Sequence, residues 1–569
     1  MKINTKSSAL IASLTLASIM GFFVFVVGTA TASNDNVIYD PETNTWIVSP
    51  TGEDDTNNIQ YAFDQAVITG SGSTVQLTDG DFYLSKGIVV ANFDGYFKGA
   101  GKEITTLKTR DDYLFPLTPP GTESHPDGLP RLFVFYLDET WPYGKPITLG
   151  FSDLSISIEG KTVVYSSNFN CLFAIIHIQG RIDPPAFQLD PINIIIEHVE
   201  FRGDRSLEYI DPLLTGCNVY SAIFAISNSV NEYFSGSFIV SDNTFQTNLN
   251  GIFASFWHES TIEITQNQFN DISGSGIRSG YNILSSVSIK DNYISTSRNC
   301  MVFLGQGGTY DVINNVVQGL EAISPIEGTI DDVLIRNNYI TGQYVYGINP
   351  WFHANRWVIT DNKFENIYSN FGAVTIQGSN DCIVSGNVFK NVDGFWGAVA
   401  LCLDSSRNSI GKILRTDFAY NDYTQSGLPG WTTGGPGCIF LDVYTSQNIV
   451  NEQLFPKGTT AYDQIWILGD DNKITLSTFL VYKLITYVEA LVDSGVLKHG
   501  VGRALTNKLE NVIDLIYKRN LHGASQKLND FIDQVEALIQ SRELSAEQGQ
   551  ELIALAQEAI VLISSAELL

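Results

Sequence analysis

A short phrase of the form Val/Ile-x-x-Asn-x-(aliphatic or Phe) occurs seven times through the middle of the chain. Its asparagines are 23 to 25 residues apart, at Asn243, Asn267, Asn292, Asn315, Asn338, Asn362 and Asn387. So regular a period indicates stacked repeat units. Each unit contains two or three short strand-like segments and no helical pattern, which excludes leucine-rich and helical solenoids. The sequence therefore predicts a coil of parallel strands, a parallel β-helix.

The residue types in the phrase fit the geometry of such a coil. Successive turns lie ~4.8 Å apart, so equivalent side chains stack directly on one another. We expect the apolar columns to fill the interior and the asparagines to form a ladder where the chain turns. Residues 151–156 and 196–201 are predicted as two earlier coils, with Leu154 and Val199 in the asparagine column. Their separations of 45 and 44 residues place a long insertion in each coil.

The ends of the coil are also marked in the sequence. Asp55 or Thr56 is a candidate N-cap for a short amphipathic helix that would cover the N-terminal end. Its predicted apolar positions are Ile59, Ala62, Phe63, Ala66 and Val67. Weaker repeats are predicted at 408–413, 448–454 and 471–476, with an insertion at 427–437 that carries Trp431.

Two segments after this helix support a family resemblance. They are VQLTDGDFYL at 75–84 and FKGAGKEITTL at 97–107. Helix, strand pair and G-x-G-x-x-x-T-x-L motif together resemble the N-terminal part of the pectate-lyase-like right-handed β-helix superfamily. The resemblance covers roughly residues 45–476 and implies a mainly β, single-stranded right-handed parallel β-helix. It implies no single reaction, because that superfamily contains lyases, hydrolases, epimerases, phage tailspikes and adhesins.

The C-terminal segment has a different character. Leu, Ala, Glu, Lys and Gln with helical periodicity replace Gly, Asn and β-branched residues after Leu476. Helices are predicted at 477–492, 501–518 and 524–540, and a last one from Ser545, whose Ser-Ala-Glu-Gln is a capping box. The pattern resembles the small helical FIMAH domain appended to secreted bacterial and archaeal proteins. The predicted domains are a signal peptide at 1–32, a β-helix at 45–476 and an all-α bundle at 477–569.

The N-terminus predicts the compartment. Lys2 and Lys6 precede an apolar run from Ala9 to Val27, and an A-x-A site follows at Ala32. This is typical of a signal peptide cleaved after Ala32, and it predicts a secreted or cell-surface protein. The run is nearly long enough to span a bilayer, so an uncleaved anchor is the alternative. No later segment of the sequence is suited to spanning a membrane.

Charge and cysteine content limit the partners. With 33 basic and 61 acidic residues, a net charge of −28 argues against nucleic acid. Polyanionic glycans would also be repelled unless a metal ion bridged them. Asp331-Asp332 and Asp470-Asp471 are the candidates for Ca²⁺, with solvated turn carboxylates as the alternative. Of the six cysteines, Cys171 and Cys217 are one long coil apart, and either a disulfide or buried free thiols fit that spacing.

The outward face of the strand after each asparagine phrase is the candidate site. Alternation from the strand starts predicts the outward column Phe253, Arg278, Val302, Ser324, Asn349, Thr375 and Ala400. No carboxylates stack in this predicted column, so a two-carboxylate glycoside hydrolase site is not indicated.

Further along these strands a polar and aromatic cluster falls at similar offsets on four consecutive coils. Its members are Gln306, Glu327, Trp351, His353 and Gln377. Glu327 and His353 are expected on neighbouring coils, ~5 Å apart along the axis.

The segment Tyr-Gly-Ile-Asn-Pro-Trp from Tyr346 to Trp351 resembles the Y-G-(F/I)-D-P-H motif of mannuronan C5-epimerases, in which Tyr, Asp and His carry the site. Tyr346 is kept, whereas Asn349 replaces the acid and Trp351 replaces the imidazole.

These observations support two hypotheses. The first is a secreted carbohydrate-active protein that binds a polysaccharide along the face, with β-elimination or hydrolysis as the reaction. Tyr346, His353 and Glu327 would supply acid/base groups, and the predicted glycan contacts are Trp351, Gln306, Gln377, Asn349 and Trp257. The second is a non-catalytic, adhesin-like rod, in which these residues are ordinary surface or packing residues.

Overall fold

The structure considered is a computed structural model of the chain. It describes residues 36–114, 131–158, 172–180, 188–203, 219–226, 232–246, 250–305, 307–411, 421–425, 438–451, 453–454, 464–474, 477–518 and 520–567. Cys171, Cys217, Gln306, Trp431 and the predicted signal peptide lie outside the described residues.

The described chain between Val37 and Ile474 forms a parallel β-coil with three strands per regular turn. One turn consists of the strands Thr261–Thr265, Gln268–Ile272 and Ser275–Gly280. Each strand pairs in parallel with its equivalent on the next coil, as Ile262 does with Val287. The predicted parallel β-helix is thereby confirmed.

The strands lie on three faces, which we call sheets 1, 2 and 3. A first strand, Val37–Asp40, pairs antiparallel with Thr45–Val48 at the N-terminal end.

Sheet 1 precedes the asparagine turn and contains Thr45–Val48, Ser73–Leu77, Gly95–Lys98, Ile147–Ser157, Gln188–Arg202, Glu232–Ser241, Thr261–Thr265, Ser286–Lys290, Thr309–Ile313, Val333–Arg336, Val358–Thr360, Ile383–Ser385, Ser409–Ile410, Ile449–Val450 and Lys473–Ile474. Two of these, Ile147–Ser157 and Gln188–Arg202, continue into sheet 2.

Sheet 2 follows the turn and contains Gly80–Lys86, Thr105–Leu114, Thr244–Gln246, Gln268–Ile272, Tyr293–Thr296, Val316–Ala322, Tyr339–Tyr344, Lys363–Ser369, Val388–Gly394, Asn421–Gln425 and Gln453–Leu454.

Sheet 3 closes each coil and contains Ile88–Ala91, Arg131–Tyr136, Leu172–Gln179, Val219–Ile226, Asn250–Ser255, Ser275–Gly280, Asn299–Leu304, Ser324–Gly328, Asn349–Pro350, Val374–Gln377, Val399–Cys402, Ile439–Leu441 and Ile465–Ile467.

The asparagine column forms the predicted ladder. Asn243 donates from both its backbone N–H and its side-chain Nδ2 to Oδ1 of Asn267, each at 3.0 Å. The same pair of bonds recurs at every later step, through Asn267, Asn292, Asn315, Asn338, Asn362, Asn387 and Asn421. Val199 pairs with Leu154 and donates its N–H to Asn243, so both occupy the column as predicted.

Backbone conformation explains the residue before each ladder asparagine. That position adopts a left-handed φ of 55° to 69° at Asp242, Gln266, Asp291, Asn314, Asn337, Asp361 and Gly386. Gly, Asn and Asp tolerate this region best, so the sharp corner between sheets 1 and 2 is encoded by the residue preceding the asparagine.

A second ladder occupies another corner near the C-terminal end. Asn408 donates to Asn448, and Asn448 donates to Asn472, with Nδ2–Oδ1 distances of 3.0 Å. The predicted weak repeats at 408–413 and 448–454 therefore begin at this second ladder. The first ladder continues instead through Asn421, which donates to Gln453 Oε1 at 3.2 Å.

The N-terminal helix Thr56–Thr69 packs its apolar side on the end of the coil, as predicted. Ile59, Ala62 and Phe63 are buried in the coil's core. The Asp55 carboxylate makes no cap bond to the helix but accepts from the N–H groups of Thr51 and Tyr83. It therefore ties the helix start to the first coils.

The C-terminal segment forms a helical bundle with its own apolar core, as predicted. Its helices are Ser477–Asp493, His499–Tyr517, Leu521–Gln540 and Ala546–Glu567. The capping box is present, because Gln548 N–H donates to Ser545 Oγ while Ser545 N–H donates to Gln548 Oε1. Tyr482 on the first of these helices is half-buried and packs against both the bundle core and the coil core.

Candidate functional site

The outward column of sheet 3 differs from the predicted one at one position. Glu327, not Ser324, occupies the column, because Val302 pairs with Glu327 and Glu327 pairs with Asn349. The error arose because the strand Val316–Ala322 runs further before the corner, with a register shift between Gly319 and Ala322. The strand on sheet 3 consequently starts at Ser324.

The corrected column places one carboxyl group on this face. Glu327 Oε1 accepts a hydrogen bond of 3.0 Å from Asn299 Nδ2 on the preceding coil. Burial raises the pKa of Glu327, while Arg278, Arg298 and the Asn299 hydrogen bond oppose that shift. Glu327 is therefore a half-buried carboxyl whose pKa lies above that of an ordinary surface glutamate.

Arg278 stands two positions before Glu327 in the same column. Its guanidinium lies 5.3 Å from the ring centroid of Phe253 on the preceding coil. Its Nε is buried and has no hydrogen-bond partner within the protein. The cation–π contact holds the guanidinium over Phe253 on the outer face of the sheet.

Asn349, Trp351 and Gln377 lie beyond Glu327 on the next two coils. Gln377 Nε2 donates to Asn349 Oδ1 at 2.9 Å, and Trp351 forms an isolated parallel bridge with Gln377. The indole Nε1 of Trp351 is buried without a hydrogen-bond partner. We call Arg278, Glu327, Asn349, Trp351 and Gln377 the polar centre.

An aromatic row begins beside the polar centre and crosses the next coils. The ring centroids of Tyr346 and Phe371 are 4.4 Å apart, and those of Phe371 and Trp396 are 4.8 Å apart. The row continues through Phe440 at 5.4 Å and Trp466 at 6.2 Å. Trp466 at its end is 45% exposed, whereas Phe440 is nearly covered.

The sheet beneath the row is covered. Thr375 and Ala400, the outward residues between Asn349 and Phe440, are small and fully buried. The rings of the row are half-buried, whereas the strands beneath them are covered. The apolar surface at this end of sheet 3 is therefore formed by the row.

Two sequence-predicted residues do not belong to this arrangement. Trp257 is wrong as a glycan contact, because it is fully buried against Phe234 and Phe238 in the coil core. Gln306 lies outside the described residues. His353 lies exposed in the turn after sheet 3, with a left-handed φ of 75°.

The expected positions of Glu327 and His353 on neighbouring coils agree with the register of sheet 3. Glu327 pairs with Asn349, four residues before His353, so the two residues lie on neighbouring coils as expected. Tyr346 stacks in the aromatic row. The structure thus brings Glu327, Asn349, Trp351 and Gln377 to one face, with His353 in the turn that follows on the same coil as Trp351.

The candidate calcium ligands have protein partners or are exposed. Arg356 binds Asp332 through Nε at 2.7 Å and Asp331 through Nη2 at 3.0 Å. That ion pair lowers the pKa of Asp332. Asp470 and Asp471 are exposed in a turn. The structure favours the ion-pair and solvated alternatives over Ca²⁺ at these positions.

Comparison with protein families gives two partial matches. Residues 211–395 match the family of the periplasmic copper-binding protein (NosD), a right-handed β-helix family. Residues 482–561 match the FIMAH domain. The resemblances to the right-handed β-helix superfamily and to the FIMAH domain are thereby confirmed. No curated protein sequence matches the chain.

Because the NosD name refers to copper, we tested whether the donors of this chain fit a metal ion. Within the described ranges, no group of three or more His, Cys, Asp or Glu side chains is placed to hold one. The described residues do not fit a copper site, and we assign copper no role.

Three solved structures that are similar to the chain are remote from it. The A-module of a mannuronan C-5 epimerase from Azotobacter vinelandii is 14% identical, with 74% of this chain and 94% of that chain covered and a TM-score of 0.36. The DFA-IIIase from Arthrobacter chlorophenolicus without its lid is 14% identical, with 76% of this chain and 98% of that chain covered and a TM-score of 0.39. A double-mutant tailspike of an Escherichia coli bacteriophage, in complex with a pentasaccharide, is 12% identical. The match covers 76% of this chain and 79% of that chain, with a TM-score of 0.41. Because these TM-scores are below 0.5, we base the functional proposal on residues of this chain.

Sequence reasoning missed several members of the site. Phe371 and Phe440 were not singled out, and neither were Arg298 and Asn299, which act on Glu327 from the start of the strand Asn299–Leu304. The signal for Phe440 and Trp466 was the spacing of Ile439 and Ile465, which continue the inward column after Val399.

Proposed function

We propose that the outer face of sheet 3 binds a carbohydrate polymer. The aromatic row from Tyr346 to Trp466 carries this proposal, because flat apolar rings beside a cluster of hydrogen-bonding groups match the two faces of a sugar ring. Asn349 and Gln377 supply amide groups next to the row, and Trp466 supplies its most exposed ring.

The test is a binding screen on immobilised neutral, amino-sugar and uronate polysaccharides. Trp466→Ala should weaken binding to the selected polymer several-fold, because it removes a stacking surface. Tyr368→Ala is the matched control, since Tyr368 is 54% exposed but lies on sheet 2. The proposal is wrong if no polymer binds, or if Trp466→Ala and Tyr368→Ala lose the same amount of affinity.

We further propose that Glu327 transfers a proton in cleavage of the bound glycan, as the one predicted acid/base group that lies in the polar centre. A carboxyl with a raised pKa is suited to this task. Glu327→Gln should reduce product release by ~10²–10⁴ while binding persists. If wild-type protein binds but releases neither reducing ends nor unsaturated products, the adhesin-like alternative holds.

We also propose that the protein is secreted or held at the cell surface, on the strength of the predicted signal peptide. Among the described residues, no helix is both long and apolar enough to cross a membrane. N-terminal sequencing of the mature protein tests the cleavage after Ala32.

A further inference from the structure

The corner that leads from sheet 3 into sheet 1 exposes large apolar side chains on several coils. Phe352 is 54% exposed, Leu403 is 44% exposed and Val443 is 56% exposed. Phe352 and Leu403 also have left-handed φ angles of 47° and 55°, a conformation that large side chains rarely adopt. An exposed apolar side chain on a strained backbone contributes little to the stability of a single chain, so a contact with another molecule is the role that it fits.

A glycine lies between two of these projections. The N–H of Phe352 donates to the carbonyl of Gln377, and the N–H of Gly378 donates to the carbonyl of Cys402. Phe352, Gly378 and Leu403 therefore occupy equivalent positions on consecutive coils. Because Gly378 has no side chain, the surface has a shallow recess between two apolar projections.

A second column runs beside the first, where the corner enters sheet 1, and its charges alternate from coil to coil. Arg356 binds Asp332 through Nε at 2.7 Å, and Arg407 binds Asp381 through Nη2 at 2.7 Å. The N–H groups at positions 332, 356 and 381 donate to the carbonyls of residues 355, 380 and 406, so the side chains lie on consecutive coils. Each is about half exposed. We call this set the charge column: Asp332, Arg356, Asp381 and Arg407.

The charge column is complementary to its own reverse. Read in either direction along the coil, it alternates acid and base, and it begins with an acid at one end and a base at the other. A two-fold axis that crosses the corner between Arg356 and Asp381 therefore places each of these two residues opposite the other one of a second copy. The same axis places Asp332 opposite Arg407, so every contact in the column joins opposite charges.

This axis also brings the apolar projections onto recesses. Phe352 of one copy lies over Gly378 of the second copy, because these residues are on the two coils that flank the axis. Three coils from the axis on either side, Val443 lies opposite Gly305, which also has a left-handed φ and no side chain. One axis thus satisfies both columns, as a self-complementary two-fold interface requires.

We propose that the corner between sheets 3 and 1 is a dimer interface, in which two copies of the chain meet antiparallel about this axis. The axis keeps the sheet 3 side of each corner on the same side of the dimer. The two aromatic rows therefore remain uncovered and run in opposite directions. This inference does not rest on glycan binding.

The size of the interface predicts its strength. The coils that pair about the axis run from Tyr281 to Leu468, and seven steps of ~4.8 Å by four residues of ~3.3 Å give a flat area of ~440 Å² per copy. This is at the low end for specific interfaces, so we expect a reversible dimer with a micromolar Kd. The net charge of −28 opposes association, but at physiological ionic strength charges more than ~8 Å away are largely screened.

The experiment is sedimentation equilibrium of the protein as isolated from cells, over concentrations of ~1–100 µM, which span the expected Kd. The average mass should rise from that of one chain toward that of two. A mass of one chain at every concentration, or a mass that continues beyond two chains, would overturn the proposed dimer.

A pair of matched variants tests the apolar contact. Phe352→Ala removes the projection over Gly378 and should raise the Kd roughly tenfold. Tyr368→Ala is the control, because Tyr368 is also 54% exposed but lies on sheet 2, and it should leave the Kd unchanged. Equal values for the two variants would show that Phe352 is not in the interface.

Two further variants test the charge column. Asp332→Arg with Asp381→Arg makes the column entirely basic, and Arg356→Asp with Arg407→Asp makes it entirely acidic. Each protein alone should remain monomeric because like charges face one another, whereas an equimolar mixture should form the mixed dimer. Dimers of either variant alone, or a mixture of folded variants that stays monomeric, overturn the proposed pairing. Phe352→Ala leaves all four charges in place and decides the question if thermal melting shows that a column variant is unfolded.

Discussion

The side-chain amide of Asn315 donates to Oδ1 of Asn338 at 3.0 Å, and the backbone N–H of Asn315 donates to the same oxygen at 2.9 Å. Asn315 in turn accepts two such bonds from Asn292. A single residue type thus satisfies backbone and side-chain groups on adjacent coils. Each asparagine of the first ladder, from Asn243 to Asn421, is fully or almost fully buried, so no water is available to replace a lost partner.

Replacing one ladder residue should destabilise the coil. Asn315→Leu leaves the Asn292 N–H and the Ile289 carbonyl without partners, at ~1–3 kcal/mol for each buried group. Chemical denaturation should show the loss. Asn270→Leu, at a partly exposed position on sheet 2, is the control, and equal stability of the two variants would show that the ladder contributes nothing.

Removal of the helical bundle should leave the coil folded. The bundle has a separate apolar core, and the side chain of Tyr482 packs against both cores. A chain that ends at residue 476 should keep its β-type circular dichroism and melt only slightly earlier than the full chain. Tyr482→Ala in the full chain should reproduce most of that shift. Aggregation of the shortened chain would mean that the bundle is an obligatory cap.

Glu327 should make stability depend on pH in a defined direction. Its pKa in the folded chain lies above the ordinary value of 4.5, so as pH rises the unfolded chain loses its proton first. Below 4.5 both states are protonated and the residue costs nothing; above the folded pKa the full cost is present. Glu327→Gln should therefore raise the melting temperature more at neutral than at acidic pH. The same gain at both pH values would contradict the burial of this carboxyl.

The described cysteines should resist alkylation in the folded state. Cys300, Cys382, Cys402 and Cys438 are buried free thiols, and burial raises the pKa of Cys300 to about 12. Since the thiolate is the reactive form, iodoacetamide should modify them only after unfolding. Mass spectrometry after a pulse of reagent measures which cysteines are modified. Rapid modification of any of the four in the folded protein would place that thiol at the surface.

The fold could be predicted from the sequence because the residues that determine it form a short pattern that is repeated on every regular coil. Three features recur at one period: the residue with a left-handed φ, the ladder asparagine and the apolar residue that follows it. The repeats from Asn243 to Asn387 therefore all predict the same coil. The register of sheet 3 could not be predicted in the same way. Sheet 2 strands end at different points, and the longer strand Val316–Ala322 moved Glu327 into the position expected for Ser324.

The side chains of the site were harder still to predict. Trp257 and Trp351 are both tryptophans near turns, yet Trp257 fills the core and Trp351 lies on the outer face. Alternation decides between the two sides, and an error of one residue reverses it. Contacts between coils, such as Phe371 with Trp396, depend on where each corner ends.

The central claim is that sheet 3 binds the glycan. A crystal structure of the chain with an oligosaccharide of the polymer selected in the binding screen tests it most directly. We predict sugar rings stacked on Trp466 and Trp396 of the aromatic row. Sugar bound instead on sheet 2, where Tyr293 and Val316 expose an apolar stripe, would contradict the account.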